Sequence, residues 1–131
     1  MSHTTEPLEV EGREAVIRWF DGEWPCFHDA EIMSLTLSRN GESLLRVYPY
    51  SPAKPATVEF YLDEVSDLEL ADFSHQNVIS GLTVESVIDQ SKQSAIRIQL
   101  GGCYGLSGWI EAKKVRVRLL PGKSSDGASQ W

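Results

Sequence analysis

Between Lys54 and Lys92 the chain has no lysine and no arginine, while Glu59, Asp63, Glu64, Asp67, Glu69, Asp72, Glu85 and Asp89 all fall there. Such a stretch argues against nucleic-acid binding, because affinity for a phosphate backbone comes from cations. Long hydrophobic runs are missing too. Nothing approaches the roughly 20 apolar residues of a membrane-spanning helix. Residues Met1 to Pro7 lack the basic-then-apolar pattern of a secretory signal. Cysteine is scarce, with only Cys26 and Cys103. Two thiols do not make a disulfide framework, and buried reduced cysteine is the default in the cytoplasm. The expectation is a cytoplasmic protein without membrane contact. There is no GxGxxG, no P-loop and no nucleophile elbow. The glycine-rich run from Gly101 to Gly108 precedes a strand, so it lacks the aligned N–H groups with which a helix N-terminus holds phosphate.

What is present is a chain of 131 residues, enough for one domain with its own core. Residues 11–121 read as that domain, with residues 1–10 and 122–131 as flexible ends. The net charge is −7 and unevenly spread. Residues 1–89 hold 17 acids against 5 bases, whereas residues 90–131 hold 2 acids against 7 bases. This asymmetry suits a basic protein partner. It equally suits a solvated acidic face that keeps the protein in solution.

Periodicity predicts an α+β, mainly β fold. One N-terminal helix packs on a largely antiparallel sheet of about seven or eight short strands. The helix runs from about Glu11 to Phe20, with Ala15, Val16, Trp19 and Phe20 at helical spacing and Asp21-Gly22 ending it. Strands follow at residues 30–39 and 43–50, joined by the hairpin signal Asn40-Gly41. Thr57 to Asp63 alternates, breaks near Glu64–Ser66, and resumes at Asp67-Leu68-Glu69-Leu70. Residues 82–89, Ala95–Leu100, Tyr104–Ala112 and Lys113–Leu120 complete the set. The alternation turns Glu59, Asp63, Asp67 and Glu69 away from the core on neighbouring strands. Like charges facing one another destabilise a sheet, so solvent or a partner must compensate. In the last strand Lys114, Arg116 and Arg118 face outward, as a charged edge that resists aggregation.

The densest run of unusual residues is Trp24-Pro25-Cys26-Phe27-His28-Asp29-Ala30-Glu31-Ile32. His28 titrates near neutral pH, and a carboxylate can orient an imidazole. Adjacent residues of an extended strand point to opposite faces, however, so Asp29 is not expected to orient His28. A structural turn whose polar groups satisfy backbone is the plainer reading. A metal site built from His28, Asp29, Glu31 and His75 fails on spacing, because His-x-x-Glu works on a helix and this stretch does not read as one. No metal and no cofactor is expected. Trp24 and Trp109 fit core packing better than ligand stacking.

The Trp24–Glu31 segment, Asp67-Leu68-Glu69-Leu70, Phe73-Ser74-His75-Gln76-Asn77-Val78-Ile79, and Tyr104-Gly105 with Gly108 before a final strand resemble the immunity protein 50 family of bacterial polymorphic-toxin systems. The resemblance spans roughly residues 15–120. Its motif residues are Trp24, His28, Asp29, Glu31, His75, Gln76 and Asn77, and Cys26 stands where a small polar residue is expected. The resemblance implies a non-enzymatic cytoplasmic protein that binds and blocks a toxin domain. No binding residue carries over from it. The acids Glu59, Asp63, Asp67, Glu69 and Asp72 are the candidates for contact with a basic toxin domain, by occlusion of its active cleft. Two other readings stand beside it: an assembly subunit that pairs edge strands between copies, and a small enzyme using His28 or His75 as acid–base.

Overall fold

A computed structural model of the chain describes residues 10–122. It contains one helix, α1 (Arg13–Trp19), and six strands: β1 (Ala30–Thr36), β2 (Glu42–Tyr48), β3 (Ala56–Ala71), β4 (Val78–Ile88), β5 (Ser94–Tyr104) and β6 (Ser107–Pro121). The strands close into an antiparallel barrel in the order β1-β2-β3-β6-β5-β4. Closure rests on a short seam, in which only Ala30↔Ile79 and Glu31↔Val78 pair β1 with β4. The longest pairing is β3 with β6, from Ala56↔Pro121 to Ala71↔Ser107. Among the described residues no helix is long and apolar enough to cross a membrane.

The mainly β character and the antiparallel order agree with the periodicity. The count does not: there are six strands, not seven or eight. Two apparent breaks are bends within longer strands. At Glu64–Ser66 the backbone does not stop. Glu64 takes a φ of 57° and the register against β6 slips by one between Val65 and Asp67. An extra residue of this kind bends and twists a strand without ending it. The inward pattern shifts with it: Leu62 and Val65 both sit on the core side of β3, as Ala112 and Val115 do on β6. The acids of the two alternating runs therefore lie on one strand rather than on neighbours. The expected strands Tyr104–Ala112 and Lys113–Leu120 are likewise one strand, β6, while Gly101-Gly102 stays inside β5, opposite Gly81 and Ile79 where the β4 register is irregular. Gly108, on β6 beside β3, is a position that needs glycine. Its φ is 133°, and a Cβ there would fall 1.9 Å from the carbonyl oxygen of Glu69.

The helix is shorter than its apolar pattern, seven residues instead of ten. Gly12 precedes it at φ 92° with no side-chain cap, and the backbone of Glu11 forms a parallel bridge with Arg116 on β6, its carbonyl accepting from the Val117 amide at 2.8 Å. Val16 is the helix's fully buried residue, with Ile17 and Phe20 packed partly against the core. Val10, just before the helix, is 3% exposed and part of the core. The expected flexible ends otherwise lie outside the described residues.

The barrel centre is aromatic. Trp24 meets Phe27 at 5.7 Å between ring centroids and Phe60 at 6.2 Å, and Phe27 meets Phe60 at 5.9 Å, in edge or tilted geometries. Edge contacts are the favoured arrangement for aromatic quadrupoles. Phe27 turns inward because its φ is 61° and the chain then hooks back, with the Ala30 amide donating to the Phe27 carbonyl and the Asp29 amide to that of Ile79. The Trp24–Phe27 half of the unusual run is thus the plug of the barrel. Replacing Phe60, which is fully buried, leaves a cavity touching both other rings. Phe60→Ala should cost about 3–5 kcal/mol, read as a lower urea midpoint with an unchanged m-value.

Candidate functional site

The outer wall formed by β2, β3 and β6 carries charges in cross-strand rows. One row is Glu42, Asp63 and Lys114; the next places Tyr61 beside Arg116; the third is Arg46, Glu59 and Arg118. Glu59 is 2% exposed, although it points away from the core. Arg46 Nε donates to its Oε2 at 2.7 Å, the Tyr61 hydroxyl donates to Oε1 at 2.7 Å, and Arg118 Nε stands 4.0 Å from Oε1. Arg116 pairs with Glu42 at 2.9 Å and stacks over Tyr61 at 4.1 Å. Burial, and then the hydrogen bond to Glu59, hold the Tyr61 phenol above its usual pKa. The basic residues of the final strand are therefore not a free edge. Arg116 pairs with Glu42 of β2, Arg118 approaches Glu59, and Lys114 lies opposite Asp63 in the register. A cleft of about 400 Å³ beside this wall is lined by Glu11, Glu42 and Asp63 against Lys113, Lys114 and Arg116, so its charges balance.

Beyond the bend in β3 the balance ends. Here β3, β6 and the tip of the β4–β5 hairpin enclose a groove of about 380 Å³. Asp67, Glu69, Asp89 and Glu111 line it, against the single guanidinium of Arg97. Register places Asp67 opposite Glu111, Glu69 opposite Trp109, and Glu111 opposite Arg97 on its other side. Glu111 is 4% exposed and accepts from Arg97 Nε at 2.8 Å. Arg97 in turn lies over the Trp109 ring at 4.6 Å. Its charge is thereby spent inside the wall on Glu111 and the indole. Gln90 donates to Asp67 from the hairpin tip at 3.2 Å, which ties the tip to β3. Ile88, 66% exposed, stands at the rim. Asp67, Glu69 and Asp89 are left in the groove without a cationic partner from Arg97.

The sequence-selected acids thus divide. Asp67 and Glu69 line the groove; Glu59 is buried and paired; Asp63 sits between Glu42 and Lys114; Asp72 is exposed at the end of β3, in a turn with φ 63°. The motif residues divide as well. Trp24 belongs to the core. His28 and Asp29 are exposed on a turn, and the structure corrects the expectation that they cannot meet. Asp29 has φ 65° rather than an extended conformation, which brings its Oδ2 to 3.6 Å from His28 Nε2, while His28 Nδ1 lies 3.1 Å from the Ser80 carbonyl oxygen. Glu31 pairs across to Tyr48 in the β1–β2 register and lies in the closing seam. His75 and Gln76 are exposed on the β3–β4 loop. Asn77 is different: it is 5% exposed, and its Oδ1 accepts from the amides of Ser74 (2.9 Å) and Leu106 (2.8 Å) while Nδ2 donates to the Ser74 carbonyl (2.8 Å). It clamps the β3–β4 loop to the β5–β6 turn. Among the described residues no group of three or more His, Cys, Asp or Glu could hold a metal ion. Cys26 and Cys103 are free and exposed, not buried as the default would have it.

Asp89, Gln90, Arg97 and Glu111 were not singled out from the sequence. They come from three different segments, and only the barrel register brings them to Asp67 and Glu69. No protein-family model matches the chain, and no curated protein or solved structure matches it.

Two measurements test this geometry. Asn77→Ala strands two loop amides and should cost about 2–6 kcal/mol, from roughly 1–3 for each group left unpaired, seen in chemical denaturation. Because the Tyr61 pKa is raised, the folded state holds the phenol proton more tightly than the unfolded chain. Its stabilising contribution is complete below about pH 10 and is lost as pH rises through the folded value. The wild-type urea midpoint should therefore fall more steeply above that pH than that of Tyr61→Phe.

Proposed function

We propose that this chain is an immunity-type binding protein, which neutralises a toxin domain by seating a basic segment of it in the acidic groove of the barrel wall. The observation that carries this reading is the groove's imbalance. Four carboxylates face one guanidinium, and that guanidinium is already engaged by Glu111 and Trp109. A charge concentrated in a concave surface steers an oppositely charged partner and orients it on arrival. The resemblance of the Trp24–Glu31 and Phe73–Ile79 segments to the immunity protein 50 family points the same way.

Within this reading Asp67 and Glu69 are the first contacts, and Asp72 extends them toward the end of the barrel. Glu59 holds Arg46 and Tyr61 in place and meets no partner. Inhibition is steric and electrostatic: the barrel covers the toxin's cleft and places carboxylates where its cationic side chains would hold substrate. No bond is made or broken.

The first test is affinity capture from a lysate of the source organism, washed at low and then moderate salt. Retention of one toxin domain, released by salt, is the expected result. Recovery of copies of the chain alone would overturn the reading in favour of an assembly role. With the captured domain in hand, Asp67→Lys and Glu69→Lys together should slow association at least about tenfold at low ionic strength. Asp63→Lys should have a smaller effect, because Lys114 and Glu42 already flank that site. Equal on-rates for the groove variant and the wild type would sink the proposal.

A further inference from the structure

Two large aromatics stand in solvent at the end of the barrel where β3 finishes. Phe73 is 73% exposed and Tyr104 is 54% exposed. Each lies on a short connection, Phe73 between β3 and β4 and Tyr104 at the β5–β6 turn. Loops usually carry exposed aromatics at a cost in order, but these two backbones are fixed. Asn77 Oδ1 accepts from Ser74 and from Leu106 at once, which brings the backbone beside Phe73 next to the backbone beside Tyr104. The fit is close: a Cβ at Gly105, whose φ is 93°, would lie 2.6 Å from the Gln76 carbonyl oxygen and 2.5 Å from Asn77 Oδ1. Val78 also pairs with Tyr104 in the sheet register.

We infer that Phe73 and Tyr104 form a rigid aromatic anchor for an apolar side chain of the same basic protein segment that enters the acidic groove. The inference rests on the groove reading above and adds a second point of attachment to it. Continuity carries it. Glu69 of the groove stands two residues before Ala71, the last of β3, and the pairs Ala71↔Ser107 and Val78↔Tyr104 place Phe73 and Tyr104 at that same end of the barrel. The extended step from Glu69 to Ala71 covers about 7 Å, a distance that a short extended peptide bridges, before Asp72, at φ 63°, turns the chain toward Phe73. Charge complementarity selects a basic partner for the groove, and Asp72 continues that sign up to the aromatics. Exposed aromatics on a pre-ordered backbone lose little entropy on binding, which is the property of residues that dominate an interface. Asn77 therefore serves binding indirectly, by holding both connections in one arrangement.

Two synthetic 12-residue peptides of equal charge test this on the intact chain. One alternates lysine with serine; the other alternates lysine with leucine. Fluorescence anisotropy of labelled peptides at low ionic strength gives their affinities. The leucine peptide should bind at least about tenfold more tightly than the serine peptide, the size of a single good anchor. In Phe73→Ser with Tyr104→Ser that gain should vanish, while affinity for the serine peptide stays as in the wild type. Asp67→Lys with Glu69→Lys should weaken both peptides. Persistence of the gain in the serine variant overturns the anchor and leaves the groove intact. Serine-peptide binding that ignores the groove variant overturns the groove reading, and binding of neither peptide overturns both. Because Phe73 and Tyr104 are exposed, their replacement leaves the core intact, and an unchanged urea midpoint confirms this for the variant used.

Discussion

The pairing of β3 with β6 is the constraint on which the rest of the molecule depends. It runs the full length of both strands, from Ala56↔Pro121 to Ala71↔Ser107. It builds the interior by setting Val58, Phe60 and Leu62 beside Leu119, Val117 and Val115. It also decides the exterior. Glu59, Asp63, Asp67 and Glu69 of β3 each receive a fixed neighbour on β6, and that neighbour sets the local charge balance. Near Pro121 the neighbours are Arg118 and Lys114. Near Ser107 they are Glu111 and Trp109. One pairing thus makes a compensated half and an uncompensated half from acids that look alike in the sequence.

This explains what could be read from the residues alone. Period-two alternation is a local property, so the strands and their inward faces were legible, including Val58, Phe60 and Leu62 and the outward Lys114, Arg116 and Arg118. Bends were not. The bulge at Glu64–Ser66 on β3, and on β6 the shift of the inward side from Ala112 to Val115, interrupt the alternation as a strand end does, so these two strands were each counted in pieces. The same holds for the contact of His28 with Asp29. Alternation forbids it in an extended chain, but Asp29 adopts the left-handed region, where the rule does not apply.

The candidate site was half legible for a related reason. Asp67 and Glu69 were marked by a local absence of Lys and Arg. Glu59 and Asp63 carried the same mark, because their cationic neighbours come from adjacent strands, Arg46 on β2 and Lys114 and Arg118 on β6. Glu59 is the sharpest case. Outward alternation suggested exposure, yet Arg46, Tyr61 and Arg118 close over it. A carboxylate covered this way is held by charge-assisted hydrogen bonds, which removes the penalty of burying it. Such a residue organises a wall and is withdrawn from any partner.

The opposed pair Asp67 and Glu111 carries the argument to function. Facing carboxylates on adjacent strands raise the energy of the folded chain. The fold tolerates them because Arg97 and Gln90 each take one member. Arg97 comes from β5 and is itself held on Trp109, so it cannot also satisfy Asp67, Glu69 and Asp89. Water screens what is left. A lysine or arginine entering the groove would relieve that repulsion while adding its own attraction, and both gains fall as salt rises. A surface optimised for stability alone would place a further cation there, as β6 does along its other half. The chain keeps the two arrangements on one continuous pair of strands, a compensated half and a groove whose remaining acids Arg97 does not balance.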